Sequence, residues 1–306
     1  MTLVVPSAPG GGYDIYMRSF APVLEHSAGV SARVSNITGG GGRAALLRVA
    51  DAPADDLAIL IENASELIFR TGLGHAPDSL PALGIIVTEA QGWVGRPGLD
   101  LAADHAASLV AGGSSLEANV IDVGMASMAL GHSVRLITGY AGSGEITAAI
   151  ARGEVDLSGR SVPSVLKTQL SGAAEALLVL SRAADPALPG VPWLAGPDGL
   201  AAQRAAALPA ADRAERLRIA DTVVELTTES RILFAPPQLS SETRACLTEA
   251  VEIALFDPAF RDAAEAQGRP VAPGTAAEAT EVMARKIAAF AQAAPLLKQA
   301  RAAVQP

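Results

Sequence analysis

Short runs of consecutive apolar residues alternate along this chain with stretches whose apolar positions recur at helical spacing, and glycine- or proline-rich loops separate the two. A strand buried on both faces reads as a continuous apolar run and its crossover helix as an amphipathic one, so the alternation predicts βα units around mainly parallel sheets. The predicted strands are Thr2 to Val5, Ser31 to Asn36, Leu57 to Ile61, Leu83 to Val87, Ser108 to Ala111, Val134 to Thr138, a short one near Val155 to Ser158, Ala176 to Leu180 and Arg231 to Ala235. Helices are expected from Asp14, whose carboxylate can cap the first turn, from Arg43 to about Val49, and over Leu116 to Leu130, Gly144 to Arg152 and Val162 to Leu170. Ser240 caps a further helix with Leu247, Ala250, Val251 and Ala254 on one face, and Met283, Ile287, Phe290 and Ala294 repeat at helical spacing in the last. Pro22 and Pro295 lie too deep in their helices to be N-terminal prolines, so a kink or break is expected at each.

Length and composition narrow the class. A chain of 306 residues, half hydrophobic and 18% charged, folds, as two domains or one large α/β domain. The Gly/Pro-dense stretch Gly92 to Gly98 reads as a crossing between domains and Pro236-Pro237 as the end of a crossing back. Domain one is therefore expected at 1–95 with 232–306, and domain two at 96–231. The 23 Lys and Arg against 32 Asp and Glu give a net charge of −9 with no basic cluster, which argues against nucleic acid as a partner. The single cysteine, Cys246, excludes a disulfide framework or thiolate cluster, and a packed thiol in a helix is expected there. No apolar run approaches the roughly 18 residues that span a bilayer, and Met1 to Val5 reads as a core strand, so any secretory leader is expected to have been removed.

Candidate chemistry gathers at strand ends. The loop Ser7-Ala8-Pro9-Gly10-Gly11-Gly12-Tyr13-Asp14, the run Gly39 to Gly42, and Gly112-Gly113-Ser114-Ser115 each follow a strand and precede a helix. Such turns aim several unpaired N–H groups, with the positive end of a helix dipole, into one space, and a carboxylate or phosphate suits it. Simple turn chemistry is the alternative for each loop taken singly. A fourth loop, Tyr140 to Gly144 with the Ser143 hydroxyl, has the same placing. Arg160, next to Ser161 after a short strand, can make the bidentate carboxylate contact that backbone groups cannot, or pair with a glutamate at the surface. No P-loop, no spaced GxGxxG and no GxSxG occurs, and His26, His75, His105 and His132 include no pair at metal-ligand spacing. Catalytic residues, metal and cofactor are all expected to be absent.

The segment Val4-Val5-Pro6-Ser7-Ala8-Pro9-Gly10-Gly11-Gly12-Tyr13-Asp14-Ile15-Tyr16-Met17-Arg18 resembles the opening strand, PxxxGGxxDxxxR-type loop and first helix of the substrate-binding receptors of tripartite tricarboxylate transporters, the Bug family. Asn36 with Gly39 to Gly42, Tyr140-Ala141-Gly142-Ser143 with Gly153 to Asp156, Gly190-Val191-Pro192 and Phe234-Ala235-Pro236 are similar to later family segments in order and spacing. Arg160 departs from it, since polar neutral residues are more usual there.

The resemblance implies an α/β, two-domain periplasmic-binding-protein-like fold with a ligand cleft between two βα domains. It also implies a periplasmic, monomeric receptor without catalysis, whose partners are a small organic carboxylate, a dicarboxylate by the Arg160 argument, and the membrane permease subunits of a tripartite transporter. The candidate binding residues are Ser7, Gly11, Gly12, Tyr13, Asp14, Gly113, Ser114, Ser115, Tyr140, Ser143, Arg160 and Ser161. The other reading kept open is a cytosolic enzyme on the same fold, decarboxylating or isomerising a small carboxylic acid.

Overall fold

The computed structural model describes residues 1–71 and 80–304, with the backbone only at 69–71, 117 and 118; His75 lies outside the described residues. The strands are β1 (Thr2–Val5), β2 (Arg33–Asn36), β3 (Ala58–Asn63), β4 (Ala82–Glu89), β5 (Gln91–Gly95), β6 (Leu109–Gly112), β7 (Val134–Ile137), β8 (Leu157–Ser161), β9 (Glu175–Val179) and β10 (Glu229–Phe234). They form two five-stranded sheets, in the orders β2-β1-β3-β10-β4 and β7-β6-β8-β5-β9. In the first, β1 runs parallel to β2 and β3, and β10 enters antiparallel to β3. The second repeats the plan: β6 is parallel to β7 and β8, and β5 enters antiparallel to β8 and β9. Each sheet thus holds one antiparallel strand, β10 returning from far along the chain in the first and β5 directly preceding its sheet's other strands in the second.

The chain divides into two compact units, Met1–Thr88 with Ser230–Ala288, and Glu89–Glu229 with Ala289–Pro306. These boundaries differ from the expected 1–95/232–306 and 96–231. The stretch at Gly92 is not a linker but β5, a strand of the second sheet. Its glycines are demanded by packing: a Cβ at Gly92 would come 2.7 Å from Leu178 O, and one at Gly95 2.6 Å from Asp156 O. The last helix, Ala276–Val304, was expected whole in domain one, but its C-terminal part groups with the second unit, where Val304 packs against Gly124.

In the first unit the core joins the helix Gly12–Ala28, through Tyr16, Met17, Phe20 and Leu24, to β1, β3 and the helices Ser241–Phe256 and Pro258–Glu265. Phe20 meets Phe260 edge to face at 5.1 Å. Ser240 caps its helix as expected, its Oγ accepting from the Thr243 N–H at 3.1 Å. The helix Gly12–Ala28 runs through Pro22 and the last helix through Pro295, against expectation. In both, the proline and the residue four before it, Arg18 or Ala291, are exposed, so water can satisfy the carbonyl that loses its N–H partner. Cys246, expected to be packed, is exposed.

The helix expected over Leu116 to Leu130 is interrupted: Leu116–Asn119 and Ala126–Leu130 flank a π-helical stretch, Val120–Met125. Among the described residues no helix is long and apolar enough to cross a membrane.

Candidate functional site

In the first unit β1 delivers the chain into the loop Pro6 to Gly11, and the helix opens at Gly12, two residues before the expected start. Gly11 is its N-cap in extended conformation, and no side chain caps this end. Gly10 is the residue that turns the chain, with a φ of 83° that favours glycine. Asp14 does not cap the first turn as expected; its carboxylate reaches back over the loop. It accepts from the Gly10 N–H at 2.8 Å, from Arg18 Nε at 3.0 Å and from Asn36 Nδ2 at 3.0 Å. Asn36 also donates to the Ser7 carbonyl at 3.0 Å, so the loop is tied at both ends to the end of β2. Burial opposes the charge on Asp14, but the hydrogen bonds from Arg18, Gly10 and Asn36, with the guanidinium's charge, outweigh it and hold the carboxyl below its ordinary value of 3.8.

Tyr13 turns away from the loop: its hydroxyl donates to Glu62 Oε1 at 2.9 Å and accepts the Asn63 N–H at 3.1 Å, which fixes the helix start on the end of β3. Behind Gly12 stand two arginines the sequence reading did not single out. Arg231, on β10, is 5% exposed and lies over the Tyr13 ring at 4.8 Å and the Tyr16 ring at 5.6 Å. Arg269 is 3% exposed, and a Cβ on Gly12 would sit 3.4 Å from its Nη1 and 3.8 Å from Arg231 Nη2. A bare Gly12 therefore lets both guanidiniums lie against the first turn. Arg231 was legible only as the polar first residue of an apolar run, and Arg269 only as a lone arginine in Gly268-Arg269-Pro270.

The run Gly39 to Gly42 is turn chemistry, with all four φ angles in the left-handed range.

The second unit brings its candidate loops to the C-terminal ends of parallel strands. Gly113, after β6, donates its N–H to the Ile137 carbonyl at 2.9 Å, and the Gly139 N–H donates to the Ser114 carbonyl at 3.2 Å, so the loops after β6 and β7 brace each other. A Cβ on Gly113 would run into Asn119 Oδ1, and one on Gly159, on β8, into Asp122 Oδ2. Glycine is required at both because the side chains around the π-helical stretch press on the sheet. Ser115 is buried and Tyr140 packs against the unit's core. Ser143 opens the helix Ser143–Ala151, whose N-cap Gly142 has no side-chain cap, and Glu145 accepts the Ala141 N–H at 2.7 Å. Ser161, the N-cap of Val162–Leu170, donates to Ser164 Oγ at 3.1 Å and its hydroxyl accepts from no helical N–H.

Arg160 is the unusual member. It lies near the end of β8, the central strand, and is 8% exposed. Its Nη1 donates to Thr147 Oγ1 and Thr168 Oγ1, both at 3.0 Å, and these hydroxyls spend their own protons on the Ser143 and Ser164 carbonyls at 2.8 Å. Among the described residues its Nε and Nη2 have no hydrogen-bond partner and it forms no ion pair. Burial alone pushes the guanidinium down to about 10. Leaving buried donors of a charged group unmet costs about 1–3 kcal/mol or more, so a partner of opposite charge would be strongly favoured there.

Among the described residues no group of three His, Cys, Asp or Glu side chains is placed to hold a metal ion. What the two units offer in common is donors: loop and helix N–H groups backed by buried guanidiniums. That suits an anion.

No family model matches the chain. Its sequence is similar to protein BugT of Bordetella pertussis, 28% identical over 214 residues, which cover 63% of this chain and 64% of BugT. Among solved structures, the periplasmic binding protein BugD superposes with a TM-score of 0.74 at 22% identity, covering 98% of this chain and 97% of BugD. MatC from Rhodopseudomonas palustris with bound malate gives 0.73 at 20% identity, covering 94% of this chain and 96% of MatC. The resemblance to Bug-type receptors is thus present in the sequence and, over almost the full length, in the fold.

Proposed function

We propose that this chain is a periplasmic receptor that captures a small organic carboxylate, a dicarboxylate in the finer form of the reading, and presents it unaltered to the membrane permease of a tripartite tricarboxylate-type transporter. The observation that carries the reading is the helix start at Gly12. It has no side-chain cap, its loop is braced by Asp14 and Asn36, and it is backed by the buried guanidiniums of Arg231 and Arg269. A carboxylate at that turn meets preorganised N–H donors and pays little to order them. The likeness to MatC, which holds malate, supports a diacid, and the likeness to BugD supports the periplasm as the place of work. In this reading the receptor acts as a monomer, and its acidic surface does not oppose an anionic ligand, because local donors set the potential where the ligand sits.

A thermal-shift screen of the full chain against malate, adipate, acetate, a neutral sugar and a cationic amine tests it. Ligand at 100 times its dissociation constant adds about 2.7 kcal/mol, which reads as a clear rise in melting temperature. Stabilisation by carboxylates, and by neither neutral nor cationic solutes, is expected. Stabilisation by the sugar or the amine with no response to any carboxylate overturns the reading.

A further inference from the structure

We propose that the second unit contains its own anion subsite, centred on Arg160, which takes one small oxyanion of carboxylate size and geometry. Three observations converge on it. The guanidinium is more than nine-tenths buried yet, among the described residues, paired only with two neutral hydroxyls, Thr147 and Thr168, at a single nitrogen. Nε and Nη2, which form one edge of the planar fork, are left without partners. That edge is the one that matches the two oxygens of a carboxylate. Finally, the helices Ser143–Ala151 and Val162–Leu170, which supply the two threonines, begin one to two turns from the guanidinium with no side chain capping either. Their positive ends disfavour a bare cation and favour an anion held with it.

A purely structural arginine would be expected to meet a carboxylate of the chain or to turn its head to water. Arg160 does neither. The threonine hydroxyls lock Nη1, and so orient the free edge, because their own protons are committed to Ser143 and Ser164 carbonyls one turn back. This is a preorganised half of a salt bridge whose other half no described residue supplies.

Two sources supply such an anion: a carboxylate of the captured diacid, or a free inorganic oxyanion. Only the assignment to the diacid rests on the function proposed above. Calorimetric titration of the full chain with adipate, hexanoate and sulfate, for wild type, Arg160→Gln and Arg160→Lys, separates them. The subsite predicts that adipate or sulfate binds Arg160→Gln roughly tenfold to a hundredfold more weakly than wild type, with Arg160→Lys between, because lysine keeps the charge and loses the fork. Loss of the preference for adipate over hexanoate assigns the site to the ligand. Loss of sulfate binding with that preference retained assigns it to an inorganic anion. Equal affinities of wild type and Arg160→Gln for all three probes overturn the subsite.

Should Arg160→Gln fail to fold, the Nε–H signal of Arg160 in the wild-type NMR spectrum decides: a shift on saturation with adipate or sulfate supports the subsite, and an unmoved signal overturns it. If sulfate shifts that signal while no carboxylate binds the wild type, the subsite stands and the receptor reading falls.

Discussion

The carboxylate of Asp14 joins the Gly10 N–H, Arg18 and Asn36, and so holds the first unit's loop in the shape that exposes the helix start. Arg18 is half exposed, so that ion pair by itself adds little; the buried hydrogen bonds carry most of the effect. Asp14→Ala is expected to lower stability by about 1–3 kcal/mol in a denaturant titration, and to weaken carboxylate binding, because the Gly10 N–H is left unmet. Its pH dependence has a definite sign. The folded carboxyl lies below its ordinary 3.8, so its contribution is fully present above that value and is lost as pH falls through the lower, folded value. Melting curves taken downward from pH 5 should show wild type losing stability faster than Asp14→Asn, and parallel curves would contradict this. The pattern that drew attention in the sequence, an acid and an arginine four apart after a glycine loop, was legible as a motif. Its bracing of the loop, in place of capping the helix, was not, because Asn36 joins the network only through the β1–β2 pairing.

At the scale of elements, apolar runs and helical spacing located most strands and helices to within two or three residues, and Val162–Leu170 in full. The misses have separate physical causes. β5 was hidden because Gly92 and Gly95 look like a linker, whereas their bareness serves the close antiparallel approach of strands on both sides. The prolines failed to break helices because they stand on solvent faces. The π-helical stretch gives no sequence signal, since a one-residue widening leaves the apolar spacing almost unchanged. Its fit to the sheet is testable: Gly113→Ala drives a Cβ into Asn119 Oδ1 and should cost about 1–3 kcal/mol as overpacking, while the double variant with Asn119→Ala should recover a substantial part. Strictly additive losses in the cycle would show that the two positions do not press on each other.

At the scale of the whole molecule, the two sheets share one strand order with one antiparallel strand each, β10, which returns from far along the chain, in the first and β5, which directly precedes its neighbours in sequence, in the second. The chain changes unit at 88/89, 229/230 and 288/289, inside or beside strands and within the last helix, where no loop-like residues mark the change. The fold class was legible because alternating βα units and the ordered motif segments agree. The surroundings of the Gly12 helix start were not, because the loop and the buried arginines Arg231 and Arg269 come together only in three dimensions. The central claim is that this molecule binds a carboxylate and does no chemistry on it. The most direct measurement is equilibrium dialysis of the full chain with malate or adipate, followed by NMR of the recovered solute. The account predicts saturable binding of one molecule per chain with the acid recovered unchanged after prolonged incubation; conversion of the acid to a decarboxylated or isomerised product, or no saturable binding of either acid, would contradict it.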